Sequence, residues 1–253
     1  MTGPCTDGRA VRAHAMDELR GILILYVVLY HLLYDLAVVF PVEIPWMFDP
    51  WMNVLRDCMT GTLIMISGVS CLYSRNNLRR GLKTFGWGMA LTLGTLIAMP
   101  SQLILFGILH FFGTAMLLYH LLQHPLSKIP AAPGAAVSML LFFLTRSLYD
   151  GFVGLGPFRF AVPAFFYDKP LLFVFGFRCR GISSADYYPL LPWIFLFFAG
   201  VFVGRYIRAG RFPGWFYRLH FPRLAWIGRH TLWIYLIHQP VLFAVLYAVF
   251  YLF

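Results

Sequence analysis

Long apolar runs, separated by short breaks that hold most of the charge, are the feature that most constrains this chain. Seven such runs occur, at residues 19–40, 51–73, 84–99, 103–122, 135–148, 190–207 and 231–253. A helix that crosses a bilayer needs about 20 mainly apolar residues. Because most of the runs approach that length, the sequence predicts an all-α polytopic membrane protein, folded as a single bundle of about seven transmembrane helices.

The composition excludes most other classes of protein. Only 12% of the residues are charged and 60% are hydrophobic, and the mean hydropathy is +0.73. Soluble domains carry about a quarter charged residues, so water is not the expected solvent, and a disordered chain is excluded as well. The net charge of +10 does not indicate a nucleic acid partner, because the basic residues lie in loops where membrane lipid is the expected contact.

The distribution of Lys and Arg predicts the orientation of the chain. These residues are more frequent in alternate loops, which favours a cytoplasmic N-terminus. Residues 1–15 are polar and lack the apolar core of a signal peptide, so they are predicted to form a cytoplasmic tail before a transmembrane domain at 16–253. Residues 149–189 are predicted to form an outer-side loop or interfacial segment, and residues 125–133 a turn-rich break.

The first predicted span, from just before the apolar run, carries a stripe of ionisable residues, namely Asp17, Arg20, His31 and Asp35. Eleven residues separate Arg20 from His31, which is about three helical turns, so both are predicted to lie on one face. His31 and Asp35 are spaced i,i+4 and can therefore come into contact. Ionisable groups within a span are costly and mark functional sites. A carboxylate beside an imidazole suits a general base, and a structural polar cluster between helices is the alternative.

Other polar residues leave two interpretations open. His110 lies between two glycines and is either a packing residue or part of a site, and His238, next to Pro240, either lines a cavity or satisfies a helix bend. A basic patch suits either a phosphate-rich ligand or lipid headgroups; it consists of Arg75, Arg79, Arg80 and Lys83. The four cysteines do not have the spacing of a metal site, so no metal is expected.

Four stretches occur in a fixed order along the chain: DELRGI at 17–22 with HLLYD at 31–35, FGILHFFG at 106–113, DYYPLLPW at 186–193, and GRHTLWIYLIHQPV at 228–241. In order and spacing they resemble the bacterial branch of the heparan-α-glucosaminide N-acetyltransferase catalytic-domain family, over about residues 16–250. The first and last stretches are also similar to those of the wider transmembrane acyltransferases.

The resemblance implies an acyltransferase of the bacterial cytoplasmic membrane. Such enzymes take an acyl group, typically acetyl, from cytoplasmic acyl-CoA and transfer it to an amine or hydroxyl, usually of a sugar or glycan, on the other side. It implies that His31 acts as base or acyl carrier and that Asp35 orients it. The residues expected to bind acyl-CoA are Arg20, Arg75, Arg79, Arg80 and Lys83. Those expected to line the acceptor cavity are His110, Asp186, Tyr187, Trp193, His238 and Gln239.

One departure from the family pattern concerns the catalytic histidine. The animal lysosomal members have their proposed catalytic histidine beyond the first core span, whereas residues 32–109 here contain no histidine. The role of His31 is therefore taken from its similarity to the wider acyltransferases. The expected acceptor is a cell-envelope amino sugar or glycan.

Three other interpretations of the same features are weighed. A small-molecule transporter with an intramembrane His/Asp site is the alternative function. The second is a seven-helix receptor or retinal protein, and its retinal form is excluded because the last two apolar runs contain no lysine. The third is a structural assembly factor without chemistry. Glycines in the runs, such as Gly86 and Gly200, allow a homo-oligomer as readily as packing within one chain.

Overall fold

A computed structural model of the chain describes residues 12–40, 42–179 and 181–252. Most of the predicted tail at 1–15 lies outside the described residues. The described chain is mostly helical, as predicted. Its helices are α1 (His14–Val38), α2 (Pro50–Cys71), α3 (Asn77–Ala98), α4 (Ile108–Lys128), α5 (Ala131–Thr145), α6 (Leu190–Arg208), α7 (Pro222–Arg229) and α8 (Thr231–Tyr251). Two strands are also present, β1 (Phe152–Leu155) and β2 (Phe158–Ala161).

All seven predicted apolar runs lie on helices, and α7 is an additional short helix. In the described part of the chain, five helical segments are long and apolar enough to cross a membrane. These are His14–Val38, Pro50–Cys71, Ala131–Asp150, Leu190–Arg208 and Thr231–Tyr251. Helices α3 and α4 are less apolar because α3 contains several glycines and basic residues and α4 contains three histidines. The count of seven spans and the cytoplasmic N-terminus thus stay predictions.

The break predicted at residues 125–133 is much shorter than expected. Helix α4 continues through Pro125 to Lys128, and α5 begins at Ala131. Pro133 falls in the first turn of α5, where backbone N–H groups have no helical acceptor to lose. Proline therefore does not end the helix there, and only two residues separate α4 from α5.

The described residues form two compact units, one from the ranges 12–63 and 207–252 and the other from the range 64–206. In the first unit, α1 packs against α7 and α8. The contact with α7 is close because it is lined by glycine. A Cβ at Gly21 would overlap the backbone of Leu224, and a Cβ at Gly228 would overlap the backbone of Asp17.

Helix α1 also holds the segment that leads into α7 through a side chain. The Glu18 carboxylate accepts hydrogen bonds from the backbone N–H groups of His220 at 2.6 Å and Phe221 at 2.9 Å. These two residues directly precede the first residue of α7. An acidic side chain at this end also interacts favourably with the helix dipole. Glu18 is thereby explained as a structural residue of the first unit.

In the second unit, α3 and α4 pack together along glycines. A Cβ at Gly113 would meet the backbone of Phe85 on α3, and a Cβ at Gly88 would meet His110 on α4. The end of α2 packs on α6 in the same manner, because a Cβ at Gly200 would overlap the backbone of Met65. Small residues of this kind allow helices in a membrane to approach closely.

The segment at 149–189 contains an antiparallel hairpin that the all-α prediction missed. Strand β1 pairs with β2 in a register that places Phe152 opposite Ala161 and Leu155 opposite Phe158. Gly156 in the connecting turn has φ of +53°, a conformation that favours glycine. The Gly156-Pro157 pair between aromatic residues is the sequence signal for this turn.

Candidate functional site

Helices α1 and α8 bring four polar side chains together in the first unit: His31 and Asp35 from α1, and His238 and Gln239 from α8. The rings of His31 and His238 are edge-on, with centroids 4.8 Å apart. Asp35 is 2% exposed and His238 is 8% exposed. All four belong to the predicted site, which therefore includes one cluster inside the apolar part of the protein.

Gln239, and not His31, is the hydrogen-bond partner of Asp35. The Nε2 group of Gln239 donates to Asp35 Oδ1 at 2.8 Å and to Oδ2 at 2.9 Å. An ionised carboxylate only accepts hydrogen bonds, so the amide nitrogen faces it and Gln239 Oε1 faces away. Within the described residues, no hydrogen bond joins Asp35 to His31, although the two are i,i+4 neighbours. The expectation that Asp35 orients the imidazole thus stays a prediction, and any such effect would act through charge.

The backbone of its own helix orients His31 instead. His31 Nδ1 lies 2.8 Å from the carbonyl oxygen of Val27, one turn earlier on α1. A carbonyl oxygen is only an acceptor, so Nδ1 carries the proton and, in the neutral ring, Nε2 presents its lone pair. This tautomer leaves Nε2 as the basic nitrogen. A carboxylate buried nearby acts on the ring through its charge rather than through a hydrogen bond.

His238 has the same tautomer for the same reason. Its Nδ1 lies 2.6 Å from the carbonyl oxygen of Tyr235. Its Nε2 is buried and has no hydrogen-bond partner among the described residues, and the same holds for Gln239 Oε1. A buried acceptor without a donor costs about 1–3 kcal/mol. Two such acceptors side by side on α8 mark a place where a ligand with N–H or O–H groups fits.

A second group of predicted residues surrounds the start of α4 in the second unit. Asp186 Oδ2 accepts from the backbone N–H of Ile108 at 2.9 Å and thus caps the helix. His110 Nδ1 accepts from the N–H of Gly107 at 3.2 Å, so its Nε2 carries the proton and donates to Thr92 Oγ1 at 3.3 Å. Both ring nitrogens of His110, which is 2% exposed, are therefore occupied. These contacts hold the fold of the second unit.

Tyr187 and Trp193 are packed among aromatic rings in the same unit. The Tyr187 ring stacks on Phe173 with centroids 4.3 Å apart, and its hydroxyl donates to the Phe173 carbonyl at 2.6 Å. Burial raises the pKa of Tyr187 far above its usual range, so the phenol stays a neutral donor. Trp193 contacts Phe142 and Tyr188, with centroids 5.6 Å away in each case.

The residues predicted to bind acyl-CoA are divided between the two units. In the first unit, Arg20 contacts the Asp17 carboxylate at 3.4 Å, and Arg12 contacts the same carboxylate at 2.8 Å. In the second unit, Arg75, Arg79 and Lys83 are exposed, whereas Arg80 is half-buried. Arg80 donates to the Ser70 carbonyl at the end of α2, at 3.4 Å. The exposed members of the patch are thus available to an anionic ligand.

One ion pair on a candidate membrane-spanning helix was not predicted as part of a site. Arg56 and Asp57 lie inside α2 and contact each other at 3.0 Å. Both charges are within electrostatic range of the Tyr26 hydroxyl on α1, which is buried without a hydrogen-bond partner in the described chain. The sequence signal was present, because two ionisable residues inside an apolar helix mark a candidate site.

Among the residues described, no group of three or more His, Cys, Asp or Glu is arranged to hold a metal ion.

Comparison with known proteins gives one match. A family model described as heparan-alpha-glucosaminide N-acetyltransferase, catalytic, matches residues 12–240 of the 253-residue chain. Comparison with curated proteins and with solved structures gives no significant match. The matched range contains all four residues of the α1–α8 cluster. With its candidate membrane-spanning helices and this match over most of its length, the chain belongs to the heparan-alpha-glucosaminide N-acetyltransferase catalytic family and is a membrane acetyltransferase.

Proposed function

We propose that the protein transfers an acetyl group from cytoplasmic acetyl-CoA to an amine of a sugar or glycan at the opposite side of the membrane. The sequence interpretation allowed a hydroxyl as well as an amine acceptor. The observation that carries the choice of an amine is the α1–α8 cluster, in which the available polar atoms are nearly all hydrogen-bond acceptors. The proposal places the reaction at this cluster.

The balance of donors and acceptors supports an amine. The cluster offers the Asp35 carboxylate, Gln239 Oε1 and the Nε2 atoms of His31 and His238. A protonated amine brings three N–H donors and a positive charge, which a buried carboxylate stabilises. A hydroxyl brings one donor, and a thioester brings none. The arrangement is therefore most complementary to an amine acceptor, with the thioester entering beside it.

His31 is the proposed base for the acyl transfer. Its Nε2 lone pair is free because Nδ1 donates to the Val27 carbonyl. In direct transfer, His31 takes a proton from the attacking nitrogen, and in the alternative it is acylated first and then attacked. Asp35 stabilises positive charge on the ring in either route. Both routes stay open in this proposal.

The CoA moiety is proposed to bind at the cytoplasmic surface, with the N-terminus of the chain on that side. Arg20 of the first unit offers a cation for its phosphates. The exposed patch residues of the second unit are proposed as the alternative source of such cations. His31 lies eleven residues beyond Arg20, a rise of about 17 Å along α1. A pantetheine arm that runs along the helix would carry the thioester over such a distance. The other predicted acceptor residues are proposed to act indirectly, by fixing the backbone around them. These are His110, Asp186, Tyr187 and Trp193.

The test combines ligand binding with transfer. Acetyl-CoA and CoA should raise the melting temperature of the detergent-purified protein, and NADH should not, because a ligand of the folded state stabilises it. Glucosamine is the probe acceptor, and N-acetylglucosamine formation is followed by mass spectrometry. His31→Gln should keep the thermal shift and lose the transfer. His124→Gln is the matched control, because His124 is exposed at the end of α4.

Three outcomes would contradict the proposal or part of it. If millimolar acetyl-CoA and longer acyl-CoA thioesters both fail to shift the melting temperature, an acyl-CoA donor is wrong. If the wild-type protein instead accumulates a small solute in vesicles without any thioester, the transporter interpretation takes precedence. Equal transfer rates for wild type and His31→Gln would keep the acetyltransferase activity but contradict the placement of the reaction at this cluster.

A further inference from the structure

The two histidines of the α1–α8 cluster present the same nitrogen to the site. In each ring, Nδ1 donates to a backbone carbonyl of the same helix, at 2.8 Å for His31 and 2.6 Å for His238. Each neutral ring therefore offers Nε2 as a bare base, and neither can release the Nδ1 proton without losing a hydrogen bond. The rings are 4.8 Å apart. The cluster thus contains two adjacent basic nitrogens. Acyl transfer assisted by a single histidine would need only one of them.

Burial makes a purely structural explanation of His238 incomplete. If His238 only satisfied a helix bend, its Nδ1 bond to the Tyr235 carbonyl would be sufficient. Its other nitrogen, Nε2, would then be expected in solvent or in a hydrogen bond. His238 Nε2 is instead buried in a side chain that is only 8% exposed, and no donor among the described residues reaches it. Its neighbour Gln239 has an unpaired buried oxygen as well. The free-energy cost of unpaired acceptors is offset when a donor group binds.

We propose that His238 is a second general base, which removes the proton that an alkylammonium acceptor must lose before it can attack. This inference rests on the proposed function, because it assumes an amine acceptor. A protonated amine loses two protons on the way to an amide, whereas a neutral amine loses one. A single imidazole would have to discharge its first proton before it took the second. Two bare Nε2 atoms remove that requirement.

The proton and electron balance of the step is complete. His238 Nε2 takes a proton from the R–NH3+ group, and the freed nitrogen lone pair attacks the thioester carbonyl carbon. The C–N bond forms, the C–S bond breaks, and the electron pair leaves with sulfur. His31 Nε2 takes the second proton from nitrogen and gives it to the CoA thiolate, since the proposed function places the thioester beside His31. The products are the amide and CoA thiol, and the proton on His238 is released to water.

The charged and titratable groups around the pair are few. Asp35, Tyr30 and Tyr34 lie on α1 with His31, and Tyr235 lies on α8 with His238. On the part of α2 that belongs to the first unit, Arg56 and Asp57 interact electrostatically with Tyr26. In this set, Asp35 is the anion in electrostatic contact with His31. It compensates the positive charge that moves from the ammonium to the imidazoles.

The experiment compares two sugar-linked amines with the full-length protein and acetyl-CoA. The 2-aminoethyl glucoside enters as an ammonium ion, and the 4-aminophenyl glucoside enters as a neutral amine that needs one deprotonation. His238→Gln should lower kcat/KM for the aminoethyl acceptor about 100-fold, the size of a general-base contribution. It should change the aminophenyl rate less than about 3-fold, which is small against that contribution. His31→Gln should reduce both rates, and His124→Gln should reduce neither.

The pH dependence gives an independent readout. Raising the pH supplies free alkylamine, so the His238→Gln rate with the aminoethyl acceptor should recover while the aminophenyl rate stays unchanged. If His238→Gln fails to fold, the wild-type profiles still decide. With an enzymic base for the ammonium, the aminoethyl rate should level off well below the pKa of the acceptor amine, whereas attack by free amine alone would make the rate rise up to that pKa. Equal losses with both acceptors, or no loss, would overturn the role of His238. No transfer by wild type to either amine would instead overturn the proposed function.

Discussion

Gln239 holds Asp35 by a two-point contact, with its amide nitrogen 2.8 and 2.9 Å from the two carboxylate oxygens. The residues are 204 positions apart in the chain, so the contact fixes α8 against α1. It also supplies a side-chain donor to a carboxylate that is 2% exposed. The amide stabilises the buried negative charge of Asp35, and the same contact stabilises the first unit.

Removing the Gln239 amide should destabilise the protein. Gln239→Leu leaves the buried Asp35 carboxylate without this donor, at a cost of about 1–3 kcal/mol in the free energy of unfolding. Asp35→Asn combined with Gln239→Leu should recover part of the loss, because no buried charge remains. Melting in detergent measures each variant. Additive effects of the two substitutions would contradict a direct interaction.

Substitution of His31 should separate binding from chemistry. We expect His31→Gln to lower acetyl transfer about 100- to 10,000-fold, the range for loss of a general base. The thermal shift with acetyl-CoA should persist, since the phosphates are bound elsewhere in the proposal. A rate assay at saturating acetyl-CoA, with His124→Gln in parallel, checks this. A loss of binding in proportion to the loss of rate would assign His31 to ligand binding only.

The contact between α1 and α7 should not tolerate a methyl group. Gly21→Ala would place a Cβ against the backbone of Leu224, so the helices must separate or shift. Overpacking of this kind costs about 1–3 kcal/mol. Gly86→Ala on α3 is the control, because nothing lies within 4 Å of its Cβ position. That control should stabilise by up to about 1 kcal/mol, because alanine favours the helix over glycine. Melting curves of the two variants test the contrast.

The cap on α4 predicts a graded response at Asp186. Asp186→Ala removes the acceptor for the Ile108 N–H and should cost about 0.5–2 kcal/mol of stability. Asp186→Asn keeps an acceptor oxygen and should recover most of that stability and nearly all of the transfer rate. If Asp186→Asn melts like wild type but has lost transfer, the carboxylate itself takes part in acceptor binding, as the sequence first indicated.

The basic patch predicts a salt-dependent affinity for the donor. Arg79→Ala with Lys83→Ala removes two exposed cations from α3 and should weaken CoA binding. The difference from wild type should shrink at 1 M salt, where screening shortens electrostatic interactions to about 3 Å. Arg159→Ala with Lys169→Ala, which removes two exposed cations from the segment at 149–189, is the charge-matched control. Titration of CoA by thermal shift at low and high salt gives the measurement, and identical affinity of all variants at low salt would remove the patch from the donor site.

Local sequence pattern predicted the helices well and the irregular segments poorly. The apolar runs located seven helices because hydrophobic length is a property of consecutive residues. The hairpin after α5 was missed, since its exposed aromatic strands are short and carry no strict alternation of polar and apolar residues. Pro125 was taken as a break although the last turn of α4 accommodates it.

The candidate residues were singled out by type, which did not indicate their partners. Periodicity placed His31 and Asp35 on neighbouring turns of one helix. It did not indicate that each histidine would donate to its own backbone, or that His110 and Asp186 would be occupied at the start of α4.

The sequence by itself determined that the chain forms apolar helices and that α1 carries ionisable groups at membrane depth, because both depend only on the order of neighbouring residues. The tertiary structure decided that Asp35 pairs with Gln239 and that His238 lies edge-on to His31. These contacts join residues about 200 positions apart, and the packing of α8 on α1 selects them. A hydrogen bond forms with whichever complementary group packing brings within about 3 Å, and helical spacing along one segment carries no information on that choice.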